Sequence, residues 1–445
     1  MNVPSRAHGS INAEPNCWRT QFLLRKAPPP SYSLDQIKFM RHNLPMKYLV
    51  TTCALVAAIS ATSPAANGKA DSATLKRAGE IPLAVVADKV ALAHTAQLLP
   101  LNEKGELVGK GDIEKQIAQT FQNISQALKA AGADLETAVK INVYAATETA
   151  VSEVQMAVVK KWNKKPAPAV SFVVGTLDNT NALVAMDAIA PARKFNEAKT
   201  KRIQVSALRG QVSGAQVSIL PKGGVVYISG QAKPGELADA TRQTMQSLGD
   251  TLTFLGLGKR DVVQIKAFID PMAGTAVARK QIADFFQGET APPVVFVDWI
   301  SPKLPIEIEL IAAAPENRAA GESISYITPP GFQVSNVYSK VARVNYGKLV
   351  YVSGLYGKTP GNAEQQVLEI FASLRQAAQE TGSNFDSLAK ATYYVSDSAA
   401  SNKLNELRPK FYNPNRPPAA SKALTRSVGF PGMAVTMDMI AVSEK

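Results

Sequence analysis

Thiols and imidazoles are nearly absent from this 445-residue chain. It has two cysteines, Cys17 and Cys53, and three histidines, of which only His94 lies beyond residue 70. A chain shortened by its first 70 residues therefore has no disulfide, no cysteine nucleophile and no thiolate metal site. One histidine falls short of the roughly three or four side-chain ligands that a zinc ion takes. A Ser-His-Asp triad would have to use His94, but that residue stands in the apolar run "VALAHTAQLL", where a structural histidine is expected. Carboxylates, hydroxyls, tyrosines and backbone groups remain to carry any chemistry.

Clustered basic charge is lacking as well. The formal net charge is +13, of which residues 1–70 hold +6 through eight Lys/Arg against two Asp/Glu. No run of Lys/Arg with interleaved aromatics accompanies that excess, so a nucleic-acid partner is not expected. An apolar run of membrane-spanning length is also missing. "MKYLVTTCALVAAISATSPAANGKA" (Met46–Ala70) has one lysine and then an apolar stretch of about twelve residues, against about 20 for a transmembrane helix. Its small-residue end gives it the layout of a secretory signal. The expectation is an exported protein, periplasmic or secreted, with Met46 as the true start, residues 1–70 as leader and no membrane insertion after cleavage. An organelle transit peptide, or residence in the cytoplasm, is the alternative.

What the chain does have is a repeat. "TFQNISQALKAAGADLETAVKINVYAA" (Thr120–Ala146), "TMQSLGDTLTFLGLGKRDVVQIKAFID" (Thr244–Asp270) and "IFASLRQAAQETGSNFDSLAKATYYVS" (Ile370–Ser396) align without a gap. Ile124, Leu248 and Leu374 correspond; so do Gly132, Gly256 and Gly382, and Tyr144, Phe268 and Tyr394. In the first copy Phe121, Ile124, Leu128 and Ala131 give the helical apolar period. The glycine follows where a helix end takes the left-handed conformation. An alternating strand, a second helix around Thr149–Trp162, a proline-containing stretch and two final strands complete the unit. A hairpin is expected before the first helix, as in "GGVVYISGQA" (Gly223–Ala232) and "GKLVYVSGLY" (Gly347–Tyr356). Each unit reads as β-β-α-β-α-β-β, an α+β layer with helices on one sheet face. The units span 75–192, 203–315 and 324–445. Three in a row can cover one another's open faces in a closed pseudo-threefold ring, which predicts a monomer.

These features, with "VVYISGQ", "LVYVSGL", "PIEIELIA" and "VTMDMIA", resemble the Rid (RidA/YjgF) family of reactive-intermediate deaminases over all three copies. The resemblance implies tandem chorismate-mutase-like units forming an intramolecular pseudo-trimer, with ligand sites in the clefts between units. It implies cofactor-independent hydrolysis of enamines and imines to carbonyl compounds and ammonia. It also implies three site elements: an arginine that holds the substrate carboxylate, a glutamate in the last strand that positions water, and a wall made of a tyrosine and a Ser-Gly pair.

Carried onto this sequence, the arginine position falls at Val170, Val294 and Ala420, and none is arginine; Arg416 and Arg426 lie nearby without matching. The glutamate position falls at Ala185, Glu307 and Thr436, so only the middle copy keeps it. The following acid, Asp187, Glu309 or Asp438, is expected on the other face in a structural role. The tyrosine is Tyr338, and the Ser-Gly pairs are Ser229-Gly230 and Ser353-Gly354, with His94-Thr95 aligned to them in the first copy. One composite site with Glu307 facing Tyr338 and Ser353 is the catalytic expectation, its substrate an imine or enamine without a carboxylate or one held by another cation. The alternatives are a non-catalytic binder of apolar ligands, in clefts lined by Val170, Val294, Val297 and Ala420, and a protein-interaction scaffold.

Overall fold

A computed structural model of the chain describes residues 80–208, 210, 214–301 and 303–445. The segment Met46–Ala70, with the export signal expected there, lies outside the described residues. Within 80–445 the chain has three copies of one pattern, each with two α-helices: α1 (Ile113–Ala130) and α2 (Glu148–Lys161), α3 (Leu237–Phe254) and α4 (Thr275–Phe285), α5 (Ala363–Thr381) and α6 (Ser398–Leu407). The first helix of each copy ends one or two residues before a glycine of positive φ: Gly132 (68°), Gly256 (69°) and Gly382 (69°). That conformation closes a helix end at little steric cost only for glycine. Side chains of Asp112, Thr147, Asn362 and Asp397 cap α1, α2, α5 and α6 by accepting a backbone N–H three residues on. No helix among the described residues is long and apolar enough to cross a membrane.

Three six-stranded sheets carry these helices. The first runs Ala169–Val174, Lys140–Ala145, Val184–Pro191, Leu92–Thr95, Val217–Leu220, Lys201–Ile203. The second runs Val294–Asp298, Val262–Ile269, Ile306–Ala314, Gly224–Gln231, Val341–Val344, Ile324–Ile327. The third runs Ala84–Ala87, Lys348–Val352, Val435–Ser443, Leu388–Val395, Ala419–Leu424, with Leu355–Tyr356 also paired to Val435–Ser443.

The expected hairpins do not form. Val217–Leu220 pairs with Leu92–Thr95 of the first copy, while Gly224–Gln231 joins the second sheet. Val341–Val344 likewise pairs with Gly224–Gln231, and Ala84–Ala87 at the start of the described chain pairs with Lys348–Val352 of the last copy. Every sheet thus borrows its neighbour's leading strand, and the sheets cut across the sequence repeats. The same exchange closes the pseudo-trimer, because the borrowed strand brings core residues with it: Val217 and Ile219 into the first core, Val341 into the second, Ala84 into the third. The turns that cross from one sheet to the next use Gly223 (φ 154°) and Gly347 (φ 113°), at positions where a Cβ would press on neighbouring strands.

Alternation along each strand separates two faces. In Ile306–Ala314, Ile306, Ile308, Leu310 and Ala312 join the helix-side core with Met245, Leu248 and Ile282. Ala313 and Ile311 face the other way, into a cluster that draws on all three copies, with Leu92, Tyr227 and Tyr351. Glu307 and Glu309 share that second face, being two residues apart. The expectation that Glu309 points away from Glu307 is therefore wrong; strand geometry forbids it. Glu309 is nonetheless structural, as described next.

Candidate active site

The inter-unit face carries buried charge near the pseudo-threefold axis. Lys140 donates to Asp438 (2.7 Å), Ser171 (2.6 Å) and the Val352 carbonyl (2.6 Å). Lys390 donates to Glu309 (2.7 Å) and Thr392 (3.0 Å). Asp187 accepts from Tyr144 (2.7 Å) and Asn142 (2.9 Å). Each lysine thus pairs with the acid of another copy. The second copy departs from this: Gln264 stands in the lysine register and donates to the Thr95 carbonyl (2.7 Å), while Lys266, two residues on, supplies the cation. Asp438 shows the balance of forces: burial pushes its pKa up, but Lys140 and Lys266 together outweigh that and hold it below the usual carboxylate range. Such a cluster stitches the copies together, since removing one member strands its partner in a dry interior.

Farther out, three clefts lie where the edge strand of one copy meets the Ser-Gly register of another. The strand pairing defines that register. Ile189, Ile311 and Ile440 pair with His94, Tyr227 and Tyr351. Two residues on, Ala96 aligns with Ser229 and Ser353, and Gln97 with Gly230 and Gly354. The first-copy counterpart of the Ser-Gly pair is therefore Ala96-Gln97, not His94-Thr95. His94 lies in the interior, its pKa lowered to about 4 by burial, with Gln264 opposing only in part, so it is neutral and structural.

The cleft between the third and first copies is filled. Ser353 Oγ accepts from the Val170 N–H (3.0 Å), and the Gly354 N–H donates to the Val170 carbonyl (2.9 Å). Tyr356 donates to the Phe172 carbonyl (3.1 Å), and its ring packs edge-on against Phe430 at 4.7 Å. Thr436, in the Glu307 register, spends its hydroxyl on the Leu355 carbonyl (3.0 Å). The cleft between the first and second copies is filled differently. Gln97 donates to the Phe296 carbonyl (2.9 Å) and accepts from its N–H (3.3 Å), while its own N–H reaches the Val294 carbonyl (3.2 Å). Ala185 stands there in the Glu307 register.

The cleft between the second and third copies holds different chemistry. Ser229 Oγ accepts from the Ala420 N–H (2.8 Å), and the Gly230 N–H donates to Ser421 Oγ (3.1 Å), which donates in turn to Glu309 (2.5 Å). The Glu307 carboxylate lies against Gly230, where any Cβ would overlap it. Burial, then the charge of Glu309, pushes the Glu307 pKa up to about 7, with Ser421, Lys390 and Lys340 pulling the other way. Glu307 still keeps partial contact with solvent. The Lys340 ammonium donates to Tyr338 Oη (2.6 Å) and lies over the Tyr338 and Phe332 rings at 4.4 and 5.5 Å. Lys422 is held by Ser401 (2.8 Å) and Asn405 (3.0 Å), feels the charge of Glu307, and has its pKa lowered by burial.

The structure thus sets Ser229 and Gly230 at the Glu307 cleft and links Tyr338 to it through Lys340. It places Ser353 and Gly354 in another cleft, against Val170, and Val294 in the third. Ser353 does not face Glu307, because the copy-two pair Ser229-Gly230 already forms that wall. Neither nearby arginine faces Glu307: Arg416 binds Glu322 (2.8 Å) and Arg426 binds Asp298 (3.0 Å). Sequence reading missed Lys340 and Lys422. The signal was present in the aligned copies. Lys340 replaces Leu83 and Gln216, the residues whose carbonyls accept from Ser353 and Ala96 as that of Lys340 does from Ser229. Lys422 replaces Phe172 and Phe296. No group of three or more His, Cys, Asp or Glu placed to hold a metal ion occurs among the described residues.

The sequence profile of the family described as Endoribonuclease L-PSP matches three times, over residues 82–192, 211–314 and 331–443. Among solved structures, NMB1025, a YjgF-family protein from Neisseria meningitidis, is similar at 23% identity, covering 27% of this chain and 96% of its own, with a TM-score of 0.21. Rv2704 from Mycobacterium tuberculosis, of the YjgF/YER057c/UK114 family, is similar at 18% identity, covering 27% and 99%, TM-score 0.20. Yeast Mmf1 is similar at 18% identity, covering 27% and 94%, TM-score 0.20. No curated protein matches the chain.

Proposed function

Because this chain belongs to the Rid (YjgF) family, we propose that it hydrolyses an imine or enamine to a carbonyl compound and ammonia at one site, the cleft between its second and third copies. A single observation carries this reading: Glu307, Tyr338, Lys340 and Lys422, none of which recurs in the corresponding positions of the other copies, converge on one cleft, while the other two are filled by Gln97 or by Tyr356 and Phe430. Divergence that merely eroded three sites would scatter such residues.

In this mechanism the Glu307 carboxylate takes a proton from a water as its oxygen attacks the C=N carbon. The C–O bond forms while the C=N π pair moves to nitrogen. Glu307 returns that proton to the nitrogen, giving a neutral carbinolamine; it then takes the carbinolamine's hydroxyl proton and passes it to the nitrogen as the C–N bond breaks, so the carbonyl forms and ammonia leaves. A base is most effective with a pKa near the working pH, and burial beside Glu309 supplies that here. The family's arginine anchor has no counterpart at Val170, Val294 or Ala420. Lys422, two residues beyond Ala420 on the same face of the strand, and Lys340 supply cations instead. An ammonium is a point charge without the guanidinium fork, so binding of an anionic group is looser in geometry.

The test is ammonia release from small imines generated in solution, comparing the full chain with Glu307→Gln. Loss of at least about a hundredfold is expected, the low end for removing a general base. Unchanged release would take Glu307 out of the mechanism and leave the binding reading, in which the cleft captures a small anionic or apolar ligand without turning it over.

A further inference from the structure

A groove of about 380 Å3 adjoins the Glu307 cleft, between the end of α3 and the segment 329–332. Phe254 and Thr251 line one side, and Pro329, Pro330 and Phe332 the other. Lys233, three residues beyond Gly230, also lines it. We propose that this groove is a side-chain subsite of the cleft. It takes an aryl or bulky aliphatic group of a substrate whose anionic end lies at Lys340. The proposal rests on the preceding reading of the Glu307 cleft as the reaction site.

Three observations converge on it. Phe254 is 50% exposed, and its aligned counterparts in the other copies are Ala130 and Glu380. An exposed phenylalanine on the last turn of a helix adds little to the core; beside a cleft it offers a face for an apolar group. Phe332 joins the groove to the cleft, since its ring lies 5.5 Å from the Lys340 ammonium that reaches Tyr338 and acts on Glu307. The approach is also pre-shaped. Pro330 precedes Gly331 (φ 82°), a pairing suited to a tight turn, and two prolines in a row limit the conformations lost on binding. The groove has the size of a small-molecule pocket. Among the described residues, Gln97 fills one of the other clefts, and Tyr356 and Phe430 fill the other.

The test is calorimetric titration of the full chain with two stable keto acids, pyruvate and phenylpyruvate. Wild type should bind phenylpyruvate at least about tenfold more tightly, given that one methylene in an apolar pocket is worth about tenfold or more. Phe254→Ser with Phe332→Ala should erase most of that preference. Phe254→Ser alone, at an exposed position, should erase part of it and serves if the double variant misfolds. Glu307→Gln should retain the preference. Equal affinity for the two acids, binding of neither, or a preference that survives the double variant would overturn the subsite. The two proposals separate cleanly: discrimination between the acids together with ammonia release indifferent to Glu307→Gln would overturn the reaction and keep the subsite, whereas Glu307-dependent release without discrimination would do the reverse.

Discussion

Replacing Glu307 by glutamine should make the protein more stable, by an amount that grows as pH rises above about 4.5 and is complete above about 7. The folded carboxyl titrates at about 7 against an ordinary value of 4.5. A raised carboxylate pKa means that the folded state binds more protons than the unfolded chain between those values, so stability falls as pH rises through that window and is flat above it. Glutamine cannot ionise and escapes the loss. At about 1.4 kcal/mol per tenfold, the full displacement caps the effect near 3 kcal/mol. Glu307 keeps partial contact with solvent, so roughly 1–2 kcal/mol is the expected gain. Urea denaturation of wild type and Glu307→Gln, followed by circular dichroism, should give curves that nearly coincide at about pH 4.5, separate progressively up to about pH 7 and keep a constant separation above it. The same groups predict that ammonia release rises with pH through about 7, as Glu307 loses its proton and becomes a base. A stability difference that is the same at every pH, or that favours wild type at alkaline pH, would refute the assignment of desolvation as the cause of the shift.

Three further outcomes follow from the geometry. Gly230→Ala should abolish activity while leaving the fold intact, because the new Cβ displaces the Glu307 carboxylate without straining the backbone; an unfolding free energy lowered by about 1–3 kcal/mol in urea denaturation would be the overpacking cost. Lys390→Met should cost about 3–5 kcal/mol by stranding Glu309, and the double change Lys390→Met with Glu309→Leu should recover most of it, as measured by the same denaturation curves. Because the three copies close on one another, the chain of 47.5 kDa is expected to elute as a monomer; a species of three times that mass in light scattering would show that its copies pair between chains instead.

Much of the fold was legible in the sequence because repetition amplifies local signals. One amphipathic helix is weak evidence; the same helix three times, each ending at Gly132, Gly256 or Gly382, is strong. The site was less legible. Glu307 and Tyr338 could be named from the resemblance, but which neighbour each faces depends on the direction of the ring, and no local pattern encodes it. Ser353 was accordingly assigned to the wrong cleft. His94-Thr95 was aligned two residues out of place, since register in a strand of period two is ambiguous by even steps until its pairing is known.

By itself the sequence determined three tandem α+β units, the apolar face of the repeat's first helix, the glycine-closed helix ends and the one carboxylate without a counterpart. Each of these rests on interactions between residues close along the chain or on comparison of one copy with another. Only the tertiary structure decided the exchange of leading strands, the buried lysine–carboxylate pairs and the company of Glu307. Those depend on contacts between residues far apart along the chain, 81 positions for Lys390 with Glu309 and 298 for Lys140 with Asp438, whose pairing is chosen by the burial of whole sheet faces. Lys340 and Lys422 show the difference: along the chain they are ordinary lysines, and they become a site only because the second and third copies close against each other around Glu307.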